Sequence, residues 1–144
     1  MNNFEFYTPS TDHSFLMDEL GLCAGDKLRA RHELYDHVGT VGYDGLIYAA
    51  SFKFGKVTKT SFEQFSGGKT VTNEGHVGPL SVEEVINRYE SILNNPYGLI
   101  NSNCEHTDNW ARGLGWKSEQ VKNVALAACV AVLMGATLAN FVRR

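Results

Sequence analysis

Nineteen consecutive residues near the C-terminus, Val124 to Val142, carry no charge. Lys117 and Lys122 precede them and Arg143-Arg144 follow. As a helix, at ~1.5 Å per residue, this segment spans roughly 29 Å, close to a hydrocarbon core of ~30 Å. Two placements suit such a segment: a membrane span, or a core helix surrounded by protein. The rest of the chain is too short to enclose a helix that is apolar on every side, and the six alanines and Gly135 suit close helix packing in lipid. The expectation is a single-pass C-terminal anchor at residues 124–142, with the preceding domain on the cytoplasmic face of intracellular membranes. Met1 to Ser10 is polar and aromatic, without the basic start and apolar run of a secretory signal.

What precedes the anchor reads as one small domain. The division is an N-terminal extension at 1–21, a domain at 22–116 and the anchor at 117–144. A formal charge of -3 and a pI near 5.9 provide no polyanion footprint, so nucleic acid is not an expected partner. Cys23, Cys104 and Cys129 are far apart and odd in number, which fits free thiols in a reducing compartment.

The fold class expected is α+β. A weak helical hint covers Ser14 to Leu20. Lys27–Arg31 and Asp36–Gly42 read as strands. Asp44-Gly45 is a hairpin signal, and Leu46–Ala50 reads as a third strand. Phe52–Val57 is a candidate continuation of the sheet. Thr58–Gly78 is polar and reads as a long loop with a turn of helix near Ser61–Phe65, Phe62 and Phe65 being core candidates. A capping box, Ser81-Val82-Glu83-Glu84, opens a helix that Asn94-Asn95-Pro96 stops. A second, Ser102-Asn103-Cys104-Glu105, opens another that Gly113 and Gly115 end.

Cys104 is the sharpest chemical feature. With Ser102 as N-cap, its sulfur lies beside unpaired backbone N–H groups at the positive end of a helix, which favours thiolate. Those N–H groups would also hold an oxyanion formed by attack on an ester. The plainer alternative is a buried structural cysteine. His37, in a strand beside small residues, is the candidate general base for a Cys–His pair, or else a histidine satisfied by hydrogen bonds. A two-residue turn at Asp44-Gly45 pairs Tyr48 with Val41 and puts Tyr48 on the face of His37. Tyr48 is therefore a candidate to orient the imidazole, or equally a sheet-packing tyrosine. His32-Glu33 lacks the second histidine of a metalloprotease helix, Cys104 with His106 is too few ligands for zinc, and no phosphate loop occurs. No metal or cofactor is expected.

Asn103-Cys104-Glu105-His106 is similar to the NCEH motif of the lecithin:retinol acyltransferase-like superfamily. Gly25-Asp26 before a strand, His37 near a strand start, Asp44-Gly45 at the hairpin, the helix at 81–95 and Lys117–Lys122 leading into the apolar tail resemble its HRAS-like suppressor branch, the phospholipase A and acyltransferase enzymes. The resemblance covers roughly residues 22–144. It implies a permuted papain-like (NlpC-type) fold, an antiparallel sheet packed on helices plus the hydrophobic C-terminal helix. It implies Cys104 as nucleophile, His37 as base and a Cys thioester, in a phospholipase A1/A2 and acyltransferase acting on glycerophospholipids. One departure stands out: cellular members carry a second histidine twelve residues after the first, where this chain has Ala49, with Tyr48 beside it. In that respect the chain resembles the related picornaviral H-box/NC proteins. They imply the alternative function, a catalytically weak or inactive membrane-associated interaction protein acting in replication.

Overall fold

A computed structural model describes residues 13–33, 35–98 and 103–115. The anchor predicted at 124–142 lies outside the described residues, as does Cys129. Among the described residues no helix is long and apolar enough to cross a membrane.

The fold is α+β. In chain order the elements are α1 (His13–Leu20), β1 (Lys27–Arg31), β2 (Asp36–Val41), β3 (Ile47–Ser51), β4 (Lys56–Thr60), α2 (Phe62–Ser66), β5 (Val71–Asn73), α3 (Val82–Ser91) and α4 (Cys104–Ala111). The strands form one antiparallel sheet in the order β4-β3-β2-β1-β5. The first three strands lie within a residue of their expected bounds. In the expected loop at 58–78 the turn of helix near Ser61–Phe65 is present as α2, while the end of β4 and β5 stand where no strand was expected. β4 reads Lys-Val-Thr-Lys-Thr and buries Val57 alone, so a polar edge strand resembles a loop in sequence.

α3 starts as its capping box requires: Ser81 Oγ accepts from the Glu84 N–H, while Glu84 accepts from the Ser81 N–H at 2.9 Å. Val85, Ile86 and Tyr89 form its buried face. Burying each of the two aliphatic side chains contributes about 1.5–3 kcal/mol. The helix stops at Ser91, short of the expected 95. Residues 92–95 turn back, and the Asn94 N–H donates to Val57 O at 2.9 Å, tying this segment to β4.

The β2–β3 hairpin corrects one expectation. Its loop has three residues, Tyr43 to Gly45, closed by Gly45 N–H to Gly42 O and Gly42 N–H to Leu46 O. Gly45 takes φ 76, the left-handed residue that ends such a loop. The register is therefore Val41 against Ile47 and Thr40 against Tyr48, not Val41 against Tyr48. A slip of one residue moves every side chain to the other face. Tyr48 joins the core under α3 and α4, with Val38, Ala50, Val85, Tyr89 and Cys104. Ala49 lies on the opposite face, in a second core with Leu28, Ala30, Val41, Ile47 and Phe65. Met17 of α1 packs against this second core, so part of the expected N-terminal extension is joined to the domain.

Candidate active site

The N-cap of α4 lies one residue later than expected. Asn103 is the N-cap, and its side chain accepts from the His106 N–H at 2.8 Å. Cys104 is thus the first helical residue, and Ser102 lies outside the described residues. The helix ends with Gly113 N–H on Trp110 O and Leu114 N–H on Asn109 O, the paired bonds of a Schellman closure.

Cys104 is 2% exposed. Its thiol donates to Asp36 O at 3.3 Å, and the Val38 N–H faces the same sulfur. The sulfur therefore lies against the β2 backbone on both sides of His37. His37 shares its strand face with Gly39 and Val41, and its ring stacks on Phe65 at 4.7 Å. A Cβ at Gly39 would lie 2.9 Å from that Phe65 ring, so glycine here is what lets Phe65 in. The room expected beside the imidazole is filled by an aromatic ring.

One cleft joins the two groups. Cys104 and His37 both line it, with His32, Tyr35, Phe65 and Tyr97. No hydrogen bond connects sulfur and imidazole among the described residues. Burial pushes the Cys104 thiol up to about 11, against the opposing pull of the Val38 and Glu105 N–H groups. Burial, and then the neighbouring His32, lower His37 to about 4. The resting pair at neutral pH is thiol and neutral imidazole, rather than the acidic thiol expected from the helix start alone. Desolvation outweighs the first-turn N–H groups. Neutral imidazole is the form that can take a proton, so the arrangement suits general-base activation once a ligand draws thiol and ring together.

Tyr48 does not meet His37. Its hydroxyl donates to Glu90, and Lys59 Nζ lies 4.7 Å above its ring. The orienting role expected for it rested on the register corrected above. Ala49, by contrast, shares the face of His37. His32 lies nearer the imidazole than Tyr48 does: it stacks on Tyr35 at 5.0 Å and meets His37 edge-on at 6.4 Å. The spacing His32-x-x-Tyr35-x-His37 was the available signal: the His32 N–H donates to Tyr35 O at 3.0 Å, which holds the first histidine beside the second. Cys23, the other described cysteine, is exposed and outside this cleft. His106, the last residue of the NCEH block, is buried, does not line the cleft, and among the described residues leaves Nδ1 without a hydrogen-bond partner.

Sequence reasoning missed a second constellation on α4. Asp108 and Arg112 are both fully buried and joined by Nε to Oδ2 at 2.9 Å. Asp108 also accepts from Thr40 Oγ1 at 2.7 Å and Tyr89 OH at 2.9 Å, and Lys27 Nζ lies 3.4 Å away. Arg112 donates to Thr40 Oγ1, Gly25 O and Val77 O. Every charge here is partnered, so the network is a clamp joining α4 to β1, β2 and α3. Its only sequence trace is an Asp and an Arg four residues apart.

No protein-family model matches the chain, and a search of curated proteins finds no match.

Proposed function

We propose that this chain is a thiol-dependent phospholipase A and acyltransferase of the permuted papain-like type, with Cys104 as nucleophile and His37 as base. The observation that carries the proposal is the placement of Cys104 Sγ at a helix start, against the β2 backbone on either side of His37, with both side chains lining one cleft. In the first step the thiol proton passes to His37 Nδ1 or Nε2 and sulfur attacks the ester carbonyl carbon. The first-turn N–H groups of α4 hold the oxyanion. The tetrahedral intermediate then collapses: the carbon–oxygen bond breaks, the imidazolium protonates the leaving alkoxide, and a Cys104 thioester remains. Water, an amine headgroup or a lysophospholipid takes the acyl group in the second step, with His37 removing the acceptor's proton.

A second reading has its own support. Cys104 is almost wholly buried with a raised pKa, and among the described residues the His37 ring is met by stacking rather than by an orienting hydrogen bond. Both suit a weak or inactive relative that uses the fold as a membrane-associated interaction module. Incubating the full chain with phosphatidylcholine micelles separates the two. A mass increase of one acyl group on Cys104, absent from Cys104→Ser, supports the enzyme. No adduct and no Cys104-dependent hydrolysis would overturn it in favour of the module.

A further inference from the structure

The β3–β4 turn at the mouth of the cleft exposes two aromatic side chains. Phe52 is 67% exposed and Phe54 42%. Isolated exposed apolar residues are ordinary. Here, however, two aromatic side chains occupy a four-residue turn whose backbone is fixed. Gly55 N–H donates to Phe52 O at 3.2 Å, Tyr97 N–H donates to Gly55 O at 2.8 Å, and the Phe52 ring meets Tyr97 edge-on at 5.8 Å. The rings are thus held outward by a closed turn pinned from behind.

Charge accompanies them. Lys53 Nζ lies 5.5 Å over the Phe54 ring, and Lys56 Nζ bonds the neutral Asn94 Oδ1 at 2.8 Å. Among the described residues neither lysine pairs with a carboxylate, and residues 51–60 contain no acidic side chain, although the chain as a whole is acidic. Aromatic rings beside lysines are the composition of a membrane–water interface. The cleft behind the turn has a volume of about 120 Å³, against the roughly 300–1,000 Å³ of sites that engulf a drug-sized ligand. It has room for an ester and its nearest groups and none for two acyl chains. A phospholipid attacked there must keep its chains in the bilayer.

We propose that the Phe52–Lys56 turn docks on an anionic phospholipid bilayer, inserting Phe52 and Phe54 among the headgroups and presenting the ester region of a bilayer lipid to the Cys104–His37 cleft. The proposal rests on the lipid reading of the site, but docking and chemistry are measured separately. The two rings enter the interfacial region while Lys53 and Lys56 lie along lipid phosphates, each strengthening attachment about fivefold.

The test uses the full chain in phosphatidylcholine vesicles, with and without phosphatidylserine, whose acyl chains are brominated near the headgroup. Phe52→Trp and, separately, Phe54→Trp are compared with the parent, whose own tryptophans set the background. The added emission is expected to be quenched by bromine, more strongly with phosphatidylserine present. Lys53→Glu with Lys56→Glu should remove that difference. Added emission that bromine leaves unquenched in both variants would overturn the proposal, because the turn would then face water or a protein. The Cys104 adduct is assayed in parallel on a dissolved short-chain phospholipid. Quenching without adduct retains docking and removes the chemistry; adduct without quenching retains the chemistry and removes docking.

Discussion

The two halves of α4 solve opposite problems. At the C-terminal half, Asp108 and Arg112 are buried charges with every partner supplied. At the N-terminal half, Cys104 is buried with only backbone partners, beside an imidazole held by stacking. The saturated half fixes the position of the helix. The sparse half leaves a thiol and a base unpaired with each other, and so available to a ligand. A site that must change partners during a reaction needs a rigid support close by, and here the support begins at Asp108, four residues after Cys104.

The largest expected effect comes from breaking the saturated half. Arg112→Met leaves Asp108 buried with Lys27 as its remaining cation, and should cost about 3–5 kcal/mol. Urea unfolding measures it. Cys104→Ser, at the sparse half, should change stability by less than half as much. Equal losses would show that the two halves are not distinct.

Acid should act on the sparse half through His37. His37 is depressed from 6.5 to about 4 in the folded chain. The unfolded chain therefore binds the proton first, and stability present above pH 6.5 is lost as pH falls toward 4. The expected loss is on the order of 3 kcal/mol. His37→Asn should remove that part of the pH dependence, read as the difference between parent and variant in urea midpoints from pH 7 to 4. Parallel profiles would mean that His37 is not buried as described. The thiol supplies the matching alkaline test: alkylation of Cys104 in the resting protein should rise with a midpoint near 11, and a midpoint below 8 would indicate an imidazolium–thiolate pair instead.

Adding a partner should sharpen the sparse half. Ala49 lies on the face of His37, one residue pair further along the sheet, so Ala49→His brings a second imidazole within reach. Phe65 occupies the neighbouring space, so Phe65→Ala is combined with it to make room. Cys104 acylation should gain tenfold or more in at least one of the two variants, about 1.4 kcal/mol of barrier. No gain in either would count against a weakened enzyme.

The sequence made β1 to β3, the α3 cap and a helix opening near Cys104 legible, because periodicity and capping are local signals. It did not resolve three things that depend on distant packing. Asp44-Gly45 suits a two-residue turn or the end of a three-residue one, and only the burial of Ile47 and Val41 on one face decides between them. Ser102 and Asn103 are both acceptable caps, and the choice shifts Cys104 by one position. Asp108 and Arg112 look like an exposed helix pair until Thr40, on a strand 68 residues earlier than Asp108, is brought against them. In the same way, a first-turn cysteine predicts an acidic thiol only while its burial is unknown.

Tyr48→Phe carries the smallest expected effect and decides the register most directly. The Tyr48 hydroxyl bonds Glu90, which is partly exposed, and the ring packs under Lys59 and against Tyr89 at 5.4 Å. Removing the hydroxyl keeps the ring and its packing, and water can satisfy Glu90. The cost should be about 0.5–1.5 kcal/mol, the net value of one hydrogen bond. Acylation of Cys104 should be unchanged, because the hydroxyl bonds Glu90 and Tyr48 does not line the cleft. If Tyr48 oriented His37, its loss would misplace the base and slow acylation far more than it lowers stability. A tenfold fall in acylation, with unfolding shifted by less than about 1.5 kcal/mol, would place Tyr48 in the site and overturn the assignment of the two sheet faces.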